Sequence, residues 1–292
     1  MHLAGHDVTL IHHDPAVVRA INKDGIMLRE IDGKLTRVRV PVRRGPATIH
    51  ETEVLIVAVK AYDTRVVARS YRGKIPFETI VLSLQNGLGN VETLHSTLNN
   101  QILAGSTTEG AFSSGPGQVA RTGRGVTIIG DTRGRNSKTC ARIKTAFDRA
   151  GIRAKTSSNI RGVLWTKAII NASINPISSL VRMPNGALAK NAALEEIARE
   201  VIREGVAVCH AARIGLVEDP RKLRRKILLS TKANKSSMLQ DIERGRMTEI
   251  RQLNGAIISE GKKRGVDTPV NDILTRLLLG LEESSITMIP RA

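Results

Sequence analysis

The chain has 292 residues, 41% of them hydrophobic, which is enough to bury a sizeable core in one or two domains. Its net charge is +18, but Lys and Arg are spread along the chain, so the charge indicates a surface that attracts anionic small molecules. We expect no nucleic-acid partner and keep a basic nucleic-acid binder as an alternative. No apolar run reaches the roughly 20 residues of a membrane-spanning helix, and the first residues lack a signal-peptide pattern.

Short apolar runs alternate with helical patterns in the first half of the chain. The sequence predicts strands at 8–11, 54–59, 79–84 and 102–105, and helices at 64–72 and 91–98. The β-branched run 54–59 is typical of a strand buried on both faces. Strand–helix alternation predicts a doubly wound parallel sheet, whereas residues 118–129 predict a hairpin with strands at 119–121 and 126–129.

Long helical patterns fill the second half, with Ala and Leu at three- and four-residue spacing in 194–212 and 253–264. Breaks fall at 183–186, 215–220 and 268–269. We therefore predict an α/β domain over 1–159 and an all-helical domain over 160–292. Cys140 and Cys209 are isolated and the seven histidines are scattered, so we expect reduced thiols, a cytoplasmic protein and no metal site.

The polar run Ser236–Ile242 lies at a predicted helix start. Ser237 and Gln240 fit the S-x-x-Q capping box, in which hydroxyl and carboxamide satisfy free backbone N–H groups. Such an end favours anions, so a small carboxylate substrate could bind there. The alternative is a well-capped helix without a ligand.

Lys167 follows Trp165 in an amphipathic helical pattern, where burial would lower its pKa toward working pH. Asn171 and Asn175 follow at i+4 and i+8, so all three share one helix face. That face is otherwise Ile and Ala, where an unpaired carboxamide is costly to bury. A surface lysine is the alternative interpretation.

Four groups of segments resemble, in the same order, the signature of the ketopantoate reductases (2-dehydropantoate 2-reductases). They are Lys60-Ala61; Asn86-Gly87-Leu88-Gly89; Leu164–Lys167 with Asn171 and Asn175-Pro176; and Ser236–Asp241 with Thr248-Glu249-Ile250 and Asn254-Gly255. The resemblance spans nearly the whole chain. It implies a Rossmann-like NADP-binding domain over 1–159, a helical substrate and dimerisation domain over 160–292, and NADPH-dependent reduction of 2-dehydropantoate to (R)-pantoate in pantothenate and coenzyme A biosynthesis.

The resemblance also implies roles for individual residues. Lys167 would be the proton donor. Substrate contacts would come from Asn171, Asn175, Asn185, Ser237 and Gln240, and cofactor contacts from Lys60, Asn86, Ala111, Glu249 and His13. Ser237 and Glu249 are twelve residues apart and converge only if the helix bends or starts late; Gly245 is the predicted break.

The opening strand, G-x-G-x-x-G turn and helix of a dinucleotide-binding domain have no counterpart here. The segment 3–8 resembles the end of that helix and the start of the second strand, with Gly5 just after the helix. We expect about twenty to thirty residues of a βα unit to be absent, judged from the length of a βαβ motif. A misplaced start codon, a damaged gene and a shortened protein all stay open. Residues 115–120 match G-x-G-x-x-A but lead into the predicted hairpin, so we treat the match as a decoy.

The predicted strand at 8–11 matches the second strand of the family's domain, but its end departs from the family, which places an arginine there for the 2′-phosphate of NADP. Here it is His12-His13-Asp14. The Asp14 carboxylate would suit a ribose 2′-hydroxyl, as in NAD enzymes, while protonated His13 or Arg19 could meet a phosphate. We expect NADP, with NAD not excluded. A reductase of a different 2-keto acid and a non-catalytic relative stay open, and homodimerisation is compatible with the sequence.

Overall fold

A computed structural model describes residues 1–46, 49, 51–134 and 137–288. The strands are β1 (Leu10–His12), β2 (Ile26–Arg29), β3 (Leu35–Val38), β4 (Val42–Arg44), β5 (Val54–Val57), β6 (Ile80–Ser83), β7 (Ile102–Thr107), β8 (Gly110–Gly115), β9 (Gln118–Gly123), β10 (Thr127–Gly130) and β11 (Ala154–Thr156). The helices are α1 (Pro15–Asp24), α2 (Thr64–Tyr71), α3 (Asn90–His95), α4 (Ser137–Arg149), α5 (Ile160–Val181), α6 (Asn185–Leu188), α7 (Ala192–Ala211), α8 (Pro220–Ser230), α9 (Ser237–Glu243), α10 (Asn254–Arg264) and α11 (Pro269–Met288). Short 3₁₀ helices cover His2–Ala4, Ala61–Asp63 and Ile250–Gln252.

The chain divides into two compact units. The first comprises Met1–Ala58, Asp63–Leu84 and Val91–Ile160, and the second comprises Val59–Tyr62, Gln85–Asn90 and Arg161–Ala292. The short segments that follow β5 and β6 therefore belong to the second unit, although the strands themselves belong to the first.

The first unit is a Rossmann-like α/β fold built on a five-stranded sheet of order β11-β10-β7-β6-β5. Strands β5, β6 and β7 are parallel and are joined through α2 and α3, as strand–helix alternation predicts. Strand β10 runs antiparallel to β7. Leu82, Leu103 and Ile129 are fully buried in this sheet and pack with Phe147 of α4.

Two smaller sheets complete the first unit. Strands β1 and β4 pair in parallel, and β3-β2-β9-β8 form a four-stranded mixed sheet. Gly5 ends the first 3₁₀ helix in the left-handed conformation, so the expectation of a helix end there is confirmed.

Two sequence predictions about the first unit are wrong. Strand β5 is not buried on both faces: it forms one end of the five-stranded sheet, and Ile56 is 39% exposed. The hairpin also has different partners, because β9 turns back on β8 while β10 pairs with β7 and β11.

Gly117, with φ 69°, lies in the β8–β9 turn, so the G-x-G-x-x-A match at 115–120 leads into a strand rather than a helix.

The second unit is helical. Its core is formed by buried aliphatic side chains of α5, α7, α8 and α10, among them Ile169, Ile202, Val208, Leu228 and Ile257. Asn191 and Asp219 cap the N-termini of α7 and α8 through their side-chain oxygens. Helix α5 continues through an internal proline, Pro176.

Across the described ranges, no helix is both long and apolar enough to cross a membrane.

Candidate functional site

Helix α5 carries Lys167, Asn171 and Asn175 at four-residue intervals, so the three side chains follow one face of the helix. Lys167 and Asn171 are half-buried, and Asn175 is buried. Part of this polar face is therefore shielded from solvent. Shielded polar groups interact with a ligand more strongly than polar groups in water do.

The Lys167 ammonium donates a hydrogen bond to Asn86 Oδ1 at 2.9 Å. Asn86 lies in the loop after β6, and its carbonyl accepts a hydrogen bond from Asn90 Nδ2. Gly87 has φ 80°, and a Cβ there would lie 2.8 Å from the Cβ of Gln252. The Leu88 N–H donates to the Gln252 carbonyl at 2.8 Å. Glycine at position 87 therefore permits the close packing of the loop that presents Asn86 to Lys167.

Burial lowers the pKa of Lys167 from 10.5 to about 8, while the nearby negative charge of Glu249 opposes this effect. A lysine with such a pKa is protonated at neutral pH and can still release its proton readily. Lys167 is therefore suited to act as a general acid.

Glu249 is only 6% exposed, and hydrogen bonds fix both its side chain and the residue that precedes it. Its Oε1 accepts the Ala61 N–H at 3.0 Å. The preceding residue, Thr248, donates both its N–H (2.7 Å) and its hydroxyl to Glu282 Oε1 of α11. These bonds fix the backbone beside Glu249 and keep its carboxylate near Lys167.

Lys60 and Asp241 form an ion pair, with Nζ 2.6 Å from Oδ2. The Lys60 side chain is 35% exposed, whereas that of Asp241 is only 8% exposed. Asp241 was not predicted from the sequence as a site residue. Its position four residues after Ser237, on the same face of one helix, was the available signal.

Several of these residues meet around a narrow cleft that leaves no room for a water molecule. It is lined by Asn175, Ser237, Met238, Asp241, Glu249 and Leu253. Helix α9 ends at Glu243, and Gly245 follows with φ 58°. The predicted break at Gly245 is confirmed, and with it Ser237 and Glu249 face the same cleft.

The predicted capping box is wrong, because the N-cap of the helix lies one residue earlier than expected. Ser236, not Ser237, is the N-cap of α9, and its hydroxyl accepts the Leu239 N–H at 3.1 Å. Gln240 Nε2 donates to the Lys235 carbonyl instead of closing the box. Since Ser236 performs the capping, Ser237 lies in the first turn with an exposed side chain that is available to a ligand.

Two further candidates make contacts outside the cleft lining. Asn185 begins α6 rather than forming a turn, and its Nδ2 donates to Thr231 Oγ1 at 2.9 Å. The Gln240 carboxamide donates to the Lys235 carbonyl. Their roles as substrate ligands stay predictions.

The remaining candidates, His13 and Ala111, lie in the first unit. The exposed ring of His13 stacks on His12, with ring centroids 4.8 Å apart. Asp14 caps α1, because its Oδ1 accepts the Ala16 N–H at 2.7 Å. Ala111 is exposed in β8, where it pairs with Arg121 of β9.

The end of β1 is rich in cationic groups. Strand β4 pairs His12 with Arg44 and Ile11 with Arg43, and both arginines are exposed. An exposed arginine at this strand end suits an anionic group such as a phosphate. No cluster of three or more His, Cys, Asp or Glu that could hold a metal ion occurs within the part of the chain that the structure describes.

Comparison with known proteins finds two family models that match most of the chain. One, described as "Ketopantoate reductase PanE/ApbA", matches residues 1–134. The other, described as "Ketopantoate reductase PanE/ApbA C terminal", matches residues 159–282. A relative from Archaeoglobus fulgidus, named 2-dehydropantoate 2-reductase, is 37% identical over 280 residues, which cover 96% of this chain and 91% of the relative.

Solved structures show the same similarity. The crystal structure of a PanE/ApbA family ketopantoate reductase from Ralstonia eutropha matches with a TM-score of 0.90 and 32% identity, covering 97% of this chain and 93% of that chain. The ternary structure of D-mandelate dehydrogenase with NADH and anilino(oxo)acetate matches with a TM-score of 0.88 and 26% identity, with the same coverage.

Proposed function

Because this chain belongs to the ketopantoate reductase family, whose members are oxidoreductases that act on a small molecule with a nicotinamide cofactor, we propose that it reduces 2-dehydropantoate to (R)-pantoate with NADPH. The observation that carries this proposal is the arrangement of Lys167, Asn86 and Glu249. The reaction so proposed belongs to pantothenate and coenzyme A biosynthesis.

Lys167 is the proton donor in this proposal. NADPH, when bound, supplies the hydride that reduces the C2 carbonyl. As the carbonyl oxygen gains negative charge, the Lys167 ammonium transfers a proton to it, and the product hydroxyl forms. Asn86 accepts a hydrogen bond from the ammonium and so aims it, while Glu249 favours the charged form that is needed for proton donation.

We propose that residues around the narrow cleft contact the rest of the substrate. Asn175 and the exposed Ser237 offer hydrogen-bond donors to a carboxylate or hydroxyl. Asn171 lies between Lys167 and Asn175 on the same helix face and extends this set of donors. Asn185 and Gln240 are proposed as more distant contacts of the substrate.

Five residues are proposed, each by itself, as cofactor contacts. Lys60, Asn86 and Glu249 belong to the second unit, and His13 and Ala111 to the first. Lys60 is a partly exposed cation that suits a cofactor phosphate. We propose NADPH rather than NADH because Arg44 offers a cation and His13 a ring N–H near the end of β1, where a 2′-phosphate would be bound, while Asp14 is engaged in capping α1.

The test is 2-dehydropantoate-dependent oxidation of NADPH by the 292-residue chain, with NADH measured in parallel. We expect turnover that prefers NADPH and that Lys167→Ala abolishes. The control is Lys155→Ala, at an exposed lysine of β11 in the first unit. Turnover that survives Lys167→Ala would contradict the role of this lysine, and a preference for NADH would contradict the choice of cofactor.

A second candidate is the reduction of another 2-keto acid. It is supported by the similarity to D-mandelate dehydrogenase, whose structure contains NADH and anilino(oxo)acetate. A substrate panel separates the two candidates: 2-dehydropantoate, phenylglyoxylate and a branched aliphatic 2-keto acid. A kcat/KM for phenylglyoxylate above that for 2-dehydropantoate would favour the second candidate.

A further inference from the structure

Helix α5 contains a proline between its polar site residues and its C-terminal end. Pro176 has no N–H, so the carbonyl of Ala172, four residues earlier, lacks the usual helical donor at this position. An unsatisfied carbonyl in a buried helix is costly and invites a kink. Ala172 is fully buried, so water does not readily replace the missing donor.

The side chain of Asn254 supplies a donor to this carbonyl. Its Nδ2 lies 3.2 Å from the Ala172 carbonyl oxygen, and Asn254 is 0% exposed. Asn254 opens α10, which is 82 positions away in sequence from Ala172. A residue distant in the sequence therefore completes the hydrogen bonding of the interrupted turn.

The orientation of the Asn254 carboxamide is set by a buried chain of hydrogen bonds. Its Nδ2 also donates to Asn271 Oδ1 at 2.9 Å, and Asn271 Nδ2 donates to Glu204 Oε2 at 2.7 Å. Glu204 further accepts the N–H groups of Val270 and Asn271 at the start of α11. If the Asn254 carboxamide were rotated by half a turn, its oxygen would face two acceptors, the Ala172 carbonyl and Asn271 Oδ1. These contacts therefore keep the Nδ2 group directed at Ala172.

The interrupted turn lies within the candidate site. Asn171 directly precedes Ala172, and Asn175 directly precedes Pro176. Two hydroxyl groups, Ser178 Oγ and Ser179 Oγ, both donate to the Asn175 carbonyl, a pattern that tends to bend helices. A shift of this turn would move Asn175 relative to Lys167, which lies two turns earlier.

We propose that Asn254 is a positioning residue: it replaces the donor that Pro176 removes and so holds Asn175 in register with Lys167. The consequence for substrate binding rests on the proposed function. Asn254 acts through the α5 backbone and does not itself touch the substrate.

The test is a double-mutant cycle of Asn254→Ala and Pro176→Ala. In the wild-type background, Asn254→Ala should raise KM for the keto acid about tenfold, the size expected for loss of one well-placed hydrogen bond. In the Pro176→Ala background, the alanine N–H can serve the Ala172 carbonyl, so Asn254→Ala should raise KM less than about threefold. Hydrogen exchange of the α5 amides should follow the same pattern without any need for turnover.

A purely structural role gives a different result. Asn254→Ala also removes the hydrogen bond from Asn254 Nδ2 to Asn271 Oδ1. The free energy of unfolding should therefore fall in both backgrounds. The matched control is Asn191→Ala, which removes the N-cap of α7 and should lower the melting temperature without changing KM.

Equal KM increases in both backgrounds, or an unchanged KM in Asn254→Ala, would overturn the positioning role. If the wild-type chain reduces no keto acid, the proposed function fails on its own, and hydrogen exchange still decides whether Asn254 and Pro176 are coupled. Exchange effects that are additive would then overturn the inference.

Discussion

Lys60 and Asp241 are joined by a 2.6 Å ion pair, although they are separated by 181 positions in the sequence. The next residue, Ala61, donates its N–H to Glu249. Two neighbouring residues of one short segment are thus fixed by the two carboxylates that line the cleft. This segment follows β5, at the end of a parallel strand, where α/β proteins bind their ligands.

Lys60→Ala should weaken the binding of the cofactor. We expect KM for NADPH to rise about tenfold, because a charge-assisted hydrogen bond to a phosphate would be lost. Steady-state kinetics at several salt concentrations measure the effect, which should shrink as salt increases. Lys144→Ala is the control, since it removes the same charge from an exposed i,i+4 pair on α4. Equal increases in both variants would indicate a general charge effect instead.

The pH dependence of reduction should report the titration of Lys167. The proton donor must be charged, and its pKa is lowered to about 8 by burial, so kcat should be high at neutral pH and fall as pH rises through about 8. The reverse oxidation needs the neutral amine and should rise over the same range. A rate of reduction that stays constant up to pH 10 would contradict this assignment.

Glu249→Gln should move the alkaline limb of that profile to lower pH. Glu249 raises the pKa of Lys167, and removal of its charge leaves the lowering effect of burial less opposed. Glutamine retains an oxygen that can accept the Ala61 N–H, so the fold around the site should be preserved. The exposed Glu243→Gln serves as the control and should leave the profile in place.

Two adjacent serines should give opposite results. Ser236→Ala removes the N-cap of α9 and the contact with Ser178 Oγ, and should lower the free energy of unfolding by about 1 kcal/mol. Ser237→Ala should leave stability nearly unchanged and raise KM for the keto acid. Urea unfolding and kinetics on the same preparations compare the two. A stability loss confined to Ser237→Ala would contradict the assigned N-cap.

Ile56→Lys should reduce self-association of the chain. Strand β5 forms one end of the five-stranded sheet, and Ile56 is 39% exposed there. Apolar edge strands promote pairing between molecules, and a lysine on the edge opposes it. Light scattering against concentration provides the measurement, with the exposed Val66→Lys on α2 as a control for added charge. An equal decrease in both variants would assign the effect to net charge rather than to the strand edge.

Local patterns predicted much of the fold. Short-range periodicity or a glycine determines strands β6 and β7, helices α2, α7 and α10, and the break at Gly245. All of these lie close to the expected positions. The partners of β9 and β10, and the exposure of β5, were predicted wrongly. Strand pairing is a non-local choice, and a β-branched run looks the same in the centre and at the edge of a sheet.

The sequence by itself determined the polar residue types and their helical spacing: Lys167, Asn171 and Asn175 share a face because the helix repeat dictates it. Only the tertiary structure decided which distant groups meet them. Asn86 reaches Lys167 across 81 positions, and Asn254 serves the turn that Pro176 interrupts. Helical periodicity relates residues a few positions apart, whereas contacts between separate segments arise from packing and from the need to satisfy buried polar groups.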